Sequence, residues 1–166
     1  MKPLEQQIER MRRRWPKFVC KQVDNTQALW FGSLRPVERQ YEIAIRYGYP
    51  IPASIDTYVR RYVRGLSPAE WHRLIPVVRV ISPPLKLRHD AAEEGPLPHV
   101  FLDSACPQLS PLCLFDPARN EWTHNDFLAD TTVPWTAEWL ACYEGWRVTG
   151  NWYGGGRAAN AGVFNV

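Results

Sequence analysis

The chain has 166 residues, 45% of them hydrophobic and 22% charged, with eight Trp, seven Tyr and six Phe. That is enough for one domain with a real core, and far too aromatic for a chain that stays solvated. No run of about 20 apolar residues occurs, which argues against a membrane span, and a net charge of +3 is too small to point to nucleic acid by itself.

The residues Met1 to Gln7 carry charge where a secretory signal needs an apolar stretch, so the expected location is the cytoplasm. There a reducing environment keeps Cys20, Cys106, Cys113 and Cys142 as thiols, in keeping with their lack of a pairing pattern. No Gly-rich phosphate loop is present.

Leu4, Ile8, Met11 and Trp15 recur at helical spacing and predict an amphipathic helix over 3–15, closed by Pro16. Arg10, Arg12, Arg13, Arg14 and Lys17 make this the most basic stretch of the chain. Strand-like runs follow at Phe18–Val23, Ala28–Leu34 and Tyr41–Tyr47, separated by the turn material of Asp24-Asn25 and Pro36 to Arg39. Short separators predict an antiparallel meander, and Tyr41, Ile43 and Ile45 alternating with Glu42 and Arg46 give it one buried face. Residues 50–75 read as a helical insertion, from the spacing of Ile55, Tyr58, Val59, Tyr62 and Val63 and the capping pattern Ser67 to Glu70. Val77 to Ile81 is a fourth strand, ended by Pro83-Pro84.

From Leu85 to Arg119 no periodicity is visible, and a stretch that long inside a compact domain is usually functional. Trp135, Trp139, Cys142, Tyr143 and Trp146 then predict a last helix, with Pro134 near its start, Thr131 or Thr132 as cap, and Gly150 as its end. Residues 150–166 read as a flexible tail containing Gly154-Gly155-Gly156. The expected class is α+β in a single domain, 1–166: an N-terminal helix, a four-stranded antiparallel meander, a long loop and a C-terminal helix.

The loop region concentrates the chemistry in His99, Cys106, Cys113 and His124. A cysteine there can act as an acyl nucleophile, its thiol pKa lowered by an imidazole or a cationic setting. Alternatively the four residues could ligate zinc, but their spacing is irregular and no Cys-x-x-Cys occurs, so no metal or other cofactor is expected. Cys20, in a strand, and Cys142, on the apolar stripe of the last helix, read as packing residues.

Pro83-Pro84, then Pro98-His99-Val100-Phe101, then Leu112-Cys113-Leu114, then Trp122 and a helix resemble the core of ubiquitin-conjugating enzymes. There a meander ends in a proline pair, followed by a His-Pro-Asn element, a cysteine in an Ile-Cys-Leu context, a tryptophan and a helix. The block Thr131 to Leu140, with Tyr143-Glu144-Gly145-Trp146 and Thr149 to Trp152, is similar to bacterial members of the fold from cyclic-oligonucleotide anti-phage (CBASS) systems. The resemblance implies a ubiquitin-conjugating-like (UBC-like) fold and makes Cys113 the thioester-forming nucleophile and His99 a residue that shapes the active-site loop. Val100 and Phe101 stand where the family has Pro and Asn, so the resemblance implies that this chain supplies the oxyanion donor elsewhere, from His124, Asn120 or backbone N–H groups, or else lacks that step.

It further implies that the acyl partner is the cGAS-like nucleotidyltransferase of the same defence system and that the acceptor is an amine, a lysine of a target protein. Arg10, Arg13 and Arg14 on the first helix become candidates for docking a protein partner; neither nucleic acid nor a membrane is expected to bind. The rival reading is a non-catalytic module on the same fold that binds this partner while Cys113 is incidental.

Overall fold

A computed structural model describes residues 2–48, 75–90, 95–116, 119 and 121–154. Of the expected insertion at 50–75, residues 50–74, with His72, lie outside the described residues, as do Asn120 and the chain beyond 154.

Helix α1 (Leu4–Arg14) leads into strands β1 (Val19–Gln22), β2 (Gln27–Leu34), β3 (Tyr41–Gly48) and β4 (Val77–Ser82), and the described chain closes with helix α2 (Thr132–Thr149). The strands pair antiparallel in the order β1-β2-β3-β4, so the class is α+β and the meander lies where the short turns predict it. Asp24 shows why the first turn is short: its Oδ1 accepts from Thr26 N at 2.6 Å and Gln27 N at 2.8 Å, a local bonding pattern that competes well with extended backbone.

Alternation sets the buried face of the sheet. Ala28, Trp30 and Leu34 of β2, Tyr41, Ile43, Ile45 and Tyr47 of β3, and Val78 and Val80 of β4 are all buried. Register aligns Cys20, Trp30, Ile45 and Val78 as one inward row. At Gly32 the requirement is closeness, since a Cβ would stand 2.5 Å from the Phe18 ring.

Helix α1 lays Leu4 and Met11 into the core, as its stripe predicts, and adds Gln7, fully buried, which the stripe does not. The Gln7 amide donates to Asp126 O at 2.8 Å and accepts from Leu128 N at 3.0 Å. It thereby joins α1 to the segment before α2, helped by Trp15 Nε1 donating to Ala129 O at 2.8 Å. Gln7→Ala strands two buried backbone groups and is expected to cost about 2–4 kcal/mol, read as a lower denaturation midpoint. A midpoint within error of wild type would contradict this.

Helix α2 buries Val133, Thr136, Trp139, Leu140, Tyr143 and Trp146, more than a single stripe, as befits a helix enclosed on several sides. The expected cap hydroxyl works differently: Thr131 Oγ1 donates back to Phe127 O at 2.9 Å and caps no helix N–H. Gly150 ends the helix in the left-handed conformation at φ 82°, which suits glycine. Among the described residues no helix is long and apolar enough to cross a membrane.

Candidate active site

The long loop is pinned to the sheet by a few backbone bonds. Leu112 N donates to Val78 O at 2.9 Å, and an antiparallel bridge joins Val100 to Leu112. Beside it, Cys113 N donates to His99 O at 2.9 Å and Phe101 N to Pro111 O at 2.8 Å. A 3-10 turn at Pro107–Leu109 folds the intervening chain, braced by Asp103 Oδ1, which accepts from Ala105 N and Cys106 N. The described residues 99–113 of the unpatterned stretch are thus held by backbone pairing, which leaves no periodic trace in sequence.

His99 is the joint of this arrangement. It is buried and holds a positive φ of 50°, uncommon for a residue with a Cβ. Its carbonyl accepts from Cys113 N and also from Trp139 Nε1 at 2.9 Å. Its ring stacks on Trp152, with centroids 4.9 Å apart and planes at 22°. His99 and Cys113 therefore share one cleft of about 400 Å³, whose walls include Phe115, Trp135, Trp139, Cys142 and Trp152. Trp135 and Cys142 sit at the edge of the packed face of α2, so Cys142 looks into the cleft instead of filling the core as expected.

The electrostatics reverse one expectation. Burial, reinforced by the Asp116 and Glu121 carboxylates, pushes the Cys113 thiol up to about 11, where an imidazole or a cation was expected to lower it. Desolvation penalises the charged thiolate and the two negative neighbours add to that penalty. The thiol lies 3.9 Å from Phe115 O, to which it donates. Glu138 also lines the cleft, and burial with Glu138 raises the Cys142 thiol. Burial likewise raises that of Cys20.

His124 lies elsewhere. It is buried, with Nδ1 2.9 Å from Tyr47 Oη and its ring edge-on to Trp122 at 5.0 Å. It is linked to the cleft wall through Trp122, which packs against Phe115 at 6.0 Å. Cys106 caps the 3-10 turn, away from the cleft lining. Among the described residues no three His, Cys, Asp or Glu side chains are grouped to hold a metal ion.

The basic residues of α1 divide into two sets. Arg10 Nε contacts Asp130 Oδ2 at 2.9 Å and Arg14 contacts Asp130 Oδ1 at 3.3 Å, so both brace α1 against the segment leading to α2. Arg13 meets Glu9 at 3.5 Å on the exposed side, where Arg12 and Lys17 are also exposed.

Sequence reasoning missed Trp139 as the partner of the His99 carbonyl, the Trp152 stack, and the carboxylates Glu121 and Glu138. Trp139 was legible only as an apolar helix position. The indole N–H that aims it depends on where the loop carbonyl falls. A family model described as Type II CBASS E2 protein matches residues 7–160. No curated protein matches the chain.

Proposed function

Taking as premise that the chain belongs to the Type II CBASS E2 family, an E2-like family of anti-phage defence, we propose that it carries an acyl group as a thioester on Cys113 and passes it to an amine. The observation that carries the reading is the placing of Cys113: a thiol held by its own backbone N–H to the His99 carbonyl, at the wall of an aromatic cleft.

In the first step Cys113 sulfur bonds to the acyl carbon, the bond from that carbon to its leaving group breaks, and the thiol proton departs with that group. In the second an amine nitrogen bonds to the same carbon, the C–S bond breaks, and the sulfur regains a proton as the nitrogen loses one. Burial disfavours the thiolate but leaves two neutral states, thiol and thioester, equally well housed. The site therefore suits an acyl group at rest. Asp116, Glu121 and Glu138 favour a cationic amine over an anionic acceptor and offer oxygens to which its proton can go.

His99 is a positioning residue, through its carbonyl for Cys113 and through its ring for Trp152. His124 positions the Trp122–Phe115 wall from behind. The acyl donor is the C-terminus of the cGAS-like nucleotidyltransferase of the same system, the acceptor is a lysine, and the setting is the cytoplasm. Arg12 and Arg13 on α1, with Lys17 just beyond its end, form the basic surface that docks a protein partner, while Arg10 and Arg14 hold that helix in place.

The test supplies a short peptide with a C-terminal thioester and follows the intact mass and the mapped site. Wild type is expected to gain the acyl group on Cys113, removable by added thiol, and Cys113→Ala to lose that modification completely. Acylation of Cys106 with Cys113 left free would contradict the proposal.

A further inference from the structure

A second cavity, of about 570 Å³, shares no lining residue with the Cys113 cleft. Its walls include Glu38 and Arg39 of the turn between β2 and β3, Tyr41 at the start of β3, and Tyr143, Glu144 and Arg147 of α2. The frame around it is fixed. Glu144 Oε2 accepts from Glu38 N at 3.3 Å and ties the turn to the helix. Within the turn Arg35 Nε donates to Glu38 O at 3.0 Å. At the helix end Arg88 Nη1 donates to Trp146 O at 2.9 Å and to Arg147 O at 3.4 Å. Two arginines from separate elements are thereby held at one gap.

Hydrogen-bond donors converge there. Among the described residues neither Arg39 nor Arg147 forms an ion pair, and a guanidinium fork matches a carboxylate. Tyr41 is the third donor. It is 2% exposed and lines the gap, and its hydroxyl has no hydrogen-bond partner among the described residues. The other two buried tyrosines differ: Tyr47 Oη is 2.9 Å from His124 Nδ1, and Tyr143 Oη accepts from Lys86 N at 2.7 Å. The core indole nitrogens of Trp30, Trp122 and Trp146 differ as well, because they are sealed while Tyr41 opens on a cavity. Burial and Glu144 push Tyr41 up to about 12 against the opposing charges of Arg39 and Arg147. Both guanidiniums are therefore felt at the phenol, and its hydroxyl keeps the proton it would donate.

We propose that this cavity binds an α-carboxylate, that of a peptide C-terminus or of a free amino acid, with Arg39 and Arg147 pairing with its oxygens and Tyr41 Oη donating to one of them. The charge balance selects a carboxylate over a phosphate. Two guanidiniums against the Glu38 and Glu144 carboxylates leave no net positive charge to hold a dianion. The same glutamates offer acceptors to the nitrogen that stands beside an α-carboxylate. The volume falls within the usual range of small-ligand clefts, about 300–1,000 Å³. No group of the Cys113 cleft takes part, so the inference stands apart from the carrier reading.

The experiment follows NMR shifts of the isotope-labelled full chain during titration with acetyl-Gly-Ala-Gly-Ala as the free acid, with free alanine, with the C-terminal amide of each, and with inorganic phosphate. The peptide acid, alanine or both are expected to bind at millimolar concentration and to shift amides of 38–41 and 143–148. Which of the two binds distinguishes a chain terminus from a free amino acid. The corresponding amide is expected to bind at least about tenfold more weakly. Arg39→Gln combined with Arg147→Gln is expected to weaken binding about 30-fold or more, and Tyr41→Phe about tenfold. The arginine pair, on an exposed turn and a helix end, serves if Tyr41→Phe folds poorly. Amides that bind as tightly as the acids, binding unchanged in the double arginine variant, or phosphate binding more tightly than either carboxylate would overturn the inference. So would shifts centred on 113–115, or no binding of either carboxylate.

Discussion

Iodoacetamide at pH 7.5 is expected to alkylate Cys113 about tenfold more slowly than an unperturbed cysteine. With the thiol pushed up from the ordinary 9.0 to about 11, the thiolate fraction falls about 100-fold, and its greater intrinsic nucleophilicity returns only about tenfold. The sign of the pH dependence follows directly. Each unit of pH below the raised pKa supplies about ten times more thiolate, so the logarithm of the rate should climb with slope near one through pH 9 without a plateau. Asp116→Asn removes one of the two negative neighbours and should speed alkylation by about two- to fivefold at fixed pH. A plateau reached below pH 8 would mean that the thiol is activated, contrary to the burial and charge of the site. Slow alkylation is therefore no argument for an incidental cysteine.

Trp139→Ala is expected to combine a large loss of stability with loss of the cleft. The side chain is 5% exposed. It stacks on Tyr143 with centroids 5.5 Å apart and planes at 10°, and its Nε1 holds the His99 carbonyl at 2.9 Å. Truncating a buried Trp costs about 3–5 kcal/mol. In a chain of this length that lowers Tm by about 10 °C or more. Trp152 loses the Trp139 ring tilted against it at 5.4 Å, so peptide-thioester loading should fall along with Tm. Trp139→Phe keeps most of the packing and gives up the hydrogen bond, at about 1 kcal/mol. A melting temperature for Trp139→Ala within about 2 °C of wild type would contradict the packing described here.

The strands and both helices were legible because burial in this fold follows period. Ala28, Trp30 and Leu34, like Tyr41, Ile43, Ile45 and Tyr47, alternate as a one-sided sheet requires, and Gly150 stops α2 through its φ of 82°. Features that depend on what the other side brings were not legible. Gln7 is polar on an apolar stripe, and its burial makes sense only once the backbone of 126–128 supplies its partners. On α2, Trp135 and Cys142 share a helical stripe with Trp139 and Trp146, yet the loop beneath them is a cleft. The direction of the Cys113 shift was misread for a similar reason. His99 and His124 are the histidines nearest in sequence, but the groups that set the shift are burial, Asp116 and Glu121. Trp152 lies in what reads as a Gly-rich tail, and the indole stacked on His99 is what distinguishes it.

The measurement that tests the central claim most directly is the intact mass of the protein isolated from its native cells, as wild type and as Cys113→Ser. The account predicts a thiol-labile adduct on wild type and a thiol-resistant ester on the serine variant, with a mass that identifies the acyl partner. A chain that carries no adduct in either form, while a partner still co-purifies, would contradict it and leave a binding module in its place.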